Sequence, residues 1–110
     1  MRRPLPPINY RQLNREALTR LPAVLDRLLP GGRREGREYK CLNPRRGDRH
    51  IGSFSVNLHT GRWGDFATGD KGGDVVSLIA FLEGCPQHKA AALLARMLGI
   101  DPQSVGIRHA

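Results

Sequence analysis

Residues 53–66 read SFSVNLHTGRWGDF, and their alternation decides the fold. Phe54, Val56 and Leu58 recur at every second position, with Ser53, Ser55 and Asn57 between them. That is the period of a strand with one face in a core and the other in water. Thr60-Gly61 supplies a short turn, because glycine takes a positive φ without steric cost. The chain then returns antiparallel over 62–66, with Arg62, Gly64 and Phe66 on one side and Trp63 and Asp65 on the other.

Upstream of this hairpin, 39–42 reads as a strand leading into a turn at Asn43-Pro44, and the strand that carries Phe54 extends over 51–58. Downstream, ATGDKGG at 67–73 is a glycine-rich loop joining strand to helix. Asp74 is placed to cap a helix over 75–82, which is apolar nearly all round and so belongs inside. Gly84 stops that helix, and Pro86 fits the first turn of the next. The apolar face of this last helix is Ala90, Leu93, Leu94, Met97 and Leu98, and Gly99 ends it. Toward the N-terminus, Asn9 caps a helix with Leu13, Ala17, Leu18 and Leu21 at helical spacing. Pro22 interrupts, 23–29 forms a short second helical segment, and Pro30-Gly31-Gly32 closes it. The expected architecture is α+β: a three-stranded antiparallel sheet with one face on two C-terminal helices, an N-terminal helix added, and the other face left to solvent. One domain over 9–100 is flanked by a proline-rich basic arm, 1–8, and a tail, 101–110.

The hydrophobic fraction of 39% is too high for a disordered chain. No apolar run approaches the roughly 18–20 residues of a membrane span, and MRRPLPPINY lacks the apolar stretch of a secretory signal. A cytoplasmic, bacterial location is expected. Charge is asymmetric: residues 1–64 hold 14 basic and 5 acidic groups, whereas 65–110 hold 4 and 5. A positive half on a small domain concentrates polyanions, nucleic acid above all, around itself.

Within the basic segment 33–49 and the hairpin, Lys40, Arg45, Arg46, Arg49, Arg62 and Lys71 are candidate phosphate contacts. Trp63 and Tyr39 are the candidate aromatics for stacking an unpaired base, with a core position as the competing reading for Trp63. Other chemistry is weakly marked. GDKGGD lacks the spacing of a phosphate-binding loop, although Gly72, Gly73 and the helix start could hold one phosphate. Asp65, Asp70 and Asp74 form a carboxylate trio that could bind Mg²⁺, but turn and cap roles account for Asp70 and Asp74. Cys41, His50, His59 and Cys85 match no spacing of a zinc site. No catalytic set is legible; neither an enzyme nor a cofactor is expected.

GREYKCLNP at 36–44, followed by GSFSVNLHTGRWGDFATGDKGGDVVSLIAFLEG at 52–84, resembles the N-terminal zinc-ribbon domain of bacterial and phage-type DNA primases. That family runs as a strand, a C-P-x-H corner, a Ser-Phe-Ser-Val strand, an aromatic strand ending in C-x-x-C, then a Gly-Asp turn into an apolar helix. The likeness spans about 36–100. The four positions that would carry the family's zinc ligands hold Asn43, Arg46, Asp65 and Thr68, so the resemblance implies a ribbon that closes without metal. Hydrogen bonding between the Asn43 corner and the Asp65–Thr68 corner, with an Arg46–Asp65 pair, is the expected replacement. The implied function is a stand-alone accessory module of a mobile element, preferring single-stranded DNA and working beside a replication polymerase, primase or helicase. The alternative is a protein–protein adaptor that docks a replication protein without binding nucleic acid.

Overall fold

Tyr39, Val56 and Trp63 stand opposite one another on three neighbouring strands, all turned to the same side and all buried. They locate the core of the computed structural model, which describes residues 8–45, 47 and 51–100. Two helices come first, α1 (Tyr10–Leu18) and α2 (Leu21–Leu28). Five strands follow: β1 (Arg33–Glu35), β2 (Glu38–Cys41), β3 (Phe54–Asn57), β4 (Trp63–Asp65) and β5 (Lys71–Gly72). Two further helices, α3 (Val75–Glu83) and α4 (Gln87–Leu98), complete the domain. The strands pair antiparallel in sequence order, β1-β2-β3-β4-β5.

The α+β class and the antiparallel sheet are as the pattern predicts, but the sheet has five strands rather than three. β1 is Arg-Arg-Glu, exposed throughout, so no apolar alternation announces it. β5 is two residues inside the stretch expected to be only a loop; it forms because Asp65 and Asp70 are already joined by a backbone hydrogen bond of 2.8 Å. The helices also differ from expectation: the short segment expected over 23–29 is a helix of its own over Leu21–Leu28, so two helices precede the sheet. Pro22 does not end the first helix, which stops at Leu18; it lies in the first turn of α2, where proline's missing N–H costs nothing.

One face of the sheet is covered. Phe54, Trp63 and Phe81 form an aromatic cluster, with Phe54 edge-on to Trp63 at 6.1 Å and Trp63 4.9 Å from Phe81 on α3. Leu13, Ala17, Leu21 and Leu25 from α1 and α2 and Leu78, Ile79, Ala91 and Leu94 from α3 and α4 fill the same core. The helix ends are tied together. Asn9 caps α1, and Asp74 and Ser77 form a reciprocal capping box on α3. Asn14 reaches from α1 to accept the Val76 N–H at 2.9 Å, and Arg20 donates to the Leu98 carbonyl at the end of α4, 3.1 Å away. Gly61, at φ 81°, makes the β3–β4 turn as expected; a side chain there would press on Leu18 and Val75.

Candidate nucleic-acid interface

The strand period that buries Tyr39, Val56 and Trp63 sends their neighbours to the opposite, uncovered face. There the register sets Arg33 opposite Lys40, Lys40 opposite Ser55, Ser55 opposite Gly64, and Gly64 opposite Lys71. A single row therefore crosses all five strands with three cations and two small residues. A parallel row holds Glu35, Glu38 and Asn57, joined to Arg62 through the Asn57 N–H, which donates to the Arg62 carbonyl at 2.7 Å. The acids on this face are engaged: Glu35 lies 3.0 Å from Arg33, and Glu38 accepts from Asn57 Nδ2 at 3.2 Å. Exposed ion pairs such as Arg33–Glu35 hold weakly, so Arg33 is only loosely committed to Glu35.

The expected site residues divide. Lys40, Lys71 and Arg62 share the open face. Arg45 turns away; its guanidinium lies against Gly84, beside the C-terminal end of α3, where a cation faces unsatisfied carbonyls. Arg46 and Arg49 lie outside the described residues. The stacking role expected of Trp63 and Tyr39 is corrected, because both rings are inside. Trp63 is 7% exposed and donates from Nε1 to Ser77 Oγ at 3.0 Å. Tyr39 is buried with its hydroxyl 2.8 Å from the Leu29 carbonyl and 3.3 Å from Asp26 Oδ1. Burial first, and then Asp26, push this phenol above its ordinary 10.0. Both aromatics are worth more to the fold as core volume with a satisfied polar tip than as exposed surfaces.

Two residues of this face were not among the expected contacts. Arg33 was hidden because β1 has no strand signal. Phe66 was visible: it shares parity with Arg62 and Gly64 along the returning strand. Its N–H donates to the Ser53 carbonyl at 3.0 Å just past the end of β4, in register with Ser55 and Gly64, and its side chain is 88% exposed.

The two corners joined by the sheet are held by hydrogen bonds. Asn43 and Asp65 are both buried, and Asn43 Nδ2 donates to Asp65 Oδ2 at 2.7 Å. Asp65 Oδ1 accepts the Ala67 N–H at 2.8 Å, and Asn43 Oδ1 accepts the Arg45 N–H at 2.9 Å. The expected corner-to-corner bond is present; the Arg46 half of that expectation lies outside the described residues. These residues do not fit zinc, because Asn43 aims an N–H donor, not a lone pair, at its neighbour. Thr68 Oγ1 donates instead to Asp70 at 2.8 Å. Among the described residues no three of His, Cys, Asp and Glu gather as a metal site. The start of α3 is likewise closed to a phosphate, since Asp74 Oδ1 accepts the Ser77 N–H at 2.8 Å and Asn14 takes that of Val76.

No protein-family model matches the chain, and no curated protein matches it significantly. The primase likeness thus rests on the quoted motifs. Among the described residues, no helix is long and apolar enough to cross a membrane.

Proposed function

We propose that the open sheet face binds nucleic acid, single-stranded DNA in preference to duplex, as an accessory module beside a replication polymerase, primase or helicase. One observation carries the reading: the row Arg33–Lys40–Ser55–Gly64–Lys71 spans the whole sheet on its uncovered face. Strands are about 4.8 Å apart, so the row offers cations at both ends and one between, across roughly 19 Å. A phosphodiester backbone laid across the strands meets them in turn, with small residues keeping the path between them low. Arg62 supplies a fourth contact one row away.

The test is a titration of a labelled (dT)15 strand and a duplex of equal length across a salt series. Four neutralised phosphates give a slope of log K against log salt of about −3, from roughly −0.7 per contact on single strands. Lys40→Ala with Lys71→Ala flattens the slope by about 1.4 on the same scale. Absence of binding to either strand at low salt defeats the proposal.

The adaptor reading has its own supporting feature. A groove of about 230 Å³ between α2, α3 and α4 is lined by Leu28, Ile79, Leu93 and Met97, with Arg27, Glu83 and Arg96 also facing it. A protein that binds a purified replication partner through this groove, and binds neither strand, would select that reading.

A further inference from the structure

Gly64 sits in the middle of the open face without a local reason to be glycine. It is not among the positive-φ glycines. A Cβ built there meets only the Asp70 carbonyl and Lys71 Cβ, both at 3.6 Å, which is ordinary contact. Glycine weakens a strand interior, and where neither turn nor crowding demands it, close approach of a ligand is a standing explanation. Beside it the fold leaves Phe66 88% exposed, while Phe54, Trp63 and Tyr39 are buried. Between the two lies a depression of about 300 Å³ lined by Gly64, Asp65, Phe66, Gly69, Asp70 and Lys71. That is the small end of the range of roughly 300–1,000 Å³ for ligand clefts.

We infer that this depression takes one unpaired nucleobase, lying over the bare backbone of Gly64 with its π-face against the Phe66 ring. The inference rests on the nucleic-acid reading of the open face and adds to it the class of group recognised there. The shape suits a flat ring: a floor without a side chain, an aromatic wall, and the Lys71 ammonium at the rim for the adjoining phosphate. Two acids line it, and both are engaged: Asp70 accepts from Thr68 Oγ1 at 2.8 Å, and Asp65 accepts from Asn43 Nδ2 at 2.7 Å and from the Ala67 N–H at 2.8 Å. A base still paired in a duplex cannot lay its face on Phe66 without leaving the stack, which makes the site a selector for single strands.

The experiment compares labelled (dT)15 with an abasic phosphodiester strand of the same length and charge. The wild-type chain is expected to hold (dT)15 more tightly by on the order of 10-fold, the usual worth of one base–aromatic stack. Phe66→Ala removes the wall and Gly64→Val fills the floor; each should bring (dT)15 down to the abasic affinity with the salt slope unchanged. Phe66→Tyr should keep the preference. Gly64→Val also guards against misfolding as the cause, since valine favours a strand and a Cβ there meets nothing closer than 3.6 Å; an unchanged Tm for the variant completes that control. Equal affinity of the wild type for both strands, or a thymine preference that survives both Phe66→Ala and Gly64→Val, overturns the base site and leaves the phosphate row standing. Binding of neither strand overturns both.

Discussion

Asn43 and Asp65 lie 22 positions apart and meet in the interior at 2.7 Å. A buried hydrogen bond to a carboxylate is among the stronger ones, and removing either partner leaves the other short of a bond it had in water. Asn43→Ala is expected to cost about 1.5–3 kcal/mol. For a domain of this size that lowers Tm by roughly 6–20 °C. A double-mutant cycle with Asp65→Ala should show coupling above about 0.5 kcal/mol in chemical denaturation, and additivity would separate the two corners. Tyr39 predicts the alkaline limit. Its folded pKa is raised above 10.0 by burial and Asp26. The proton is held more tightly in the folded state, so this stabilisation is complete below pH 10 and is lost as pH rises through the raised value. Tyr39→Phe should remove that part of the decline in a stability–pH profile; an unchanged profile above pH 10 would rule the phenol out. Both residues appear in the sequence as a turn asparagine and a strand tyrosine. The Asn43–Asp65 contact was expected only through the family resemblance, and Asp26 was not legible as the partner of Tyr39, because contact across a core depends on where the helices come to rest.

At the scale of elements, β5 and the start of α3 depend on one missing side chain. A Cβ at Gly72 would lie 2.5 Å from both Trp63 Nε1 and Ser77 Oγ. Gly72→Ala must therefore displace the indole, the capping serine, or the β4–β5 pairing, at a cost of about 1–3 kcal/mol as for other overpacked sites. The denaturation midpoint measures it; a wild-type midpoint would mean that β5 yields freely. The hairpin 53–66 was readable in its alternation and its turn at Gly61, because its own pattern encodes the period, although β3 covers only Phe54–Asn57 of the 51–58 expected. The starts of α1 and α3 and the stops of α3 and α4 were readable from Asn9, Asp74, Gly84 and Gly99, since caps are local chemistry; the stop of α1 at Leu18, before the expected Leu21, was not. β1 and β5 were not. Neither has an apolar residue to bury, and each exists only because a neighbouring strand offers it a ladder.

For the whole molecule, the N-terminal helices are part of the core. Leu13, Ala17, Leu21 and Leu25 are all at 0% exposure. Burying each leucine is worth about 1.5–3 kcal/mol, against a total stability of about 5–15 for a small domain. A chain beginning at Arg33 is expected to lose its cooperative thermal transition; a sharp melt from that truncated chain would show that the sheet and the last two helices stand alone. The bond between the Asn43 and Asp65 corners also predicts that a chelator leaves Tm unchanged and that purified protein carries no stoichiometric zinc by elemental assay. Unfolding on chelation would show that an ion, not the hydrogen bond, joins the corners. The candidate site was legible only in part. Lys40, Arg62 and Lys71 were chosen for charge and fall on one face, but Trp63 and Tyr39 were chosen as aromatics and fall on the other, while Phe66 went unchosen.

The sequence alone determined the α+β class, the antiparallel hairpin, the caps, and which residues alternate with which, since these follow from backbone sterics and period within a few neighbouring positions. The tertiary structure decided which side of the sheet the helices would cover. That choice turns on the summed burial of Leu13, Phe54, Trp63, Phe81 and Leu94 from all parts of the chain, a quantity no single stretch contains. By covering the tryptophan side it left Lys40, Gly64, Phe66 and Lys71 facing water.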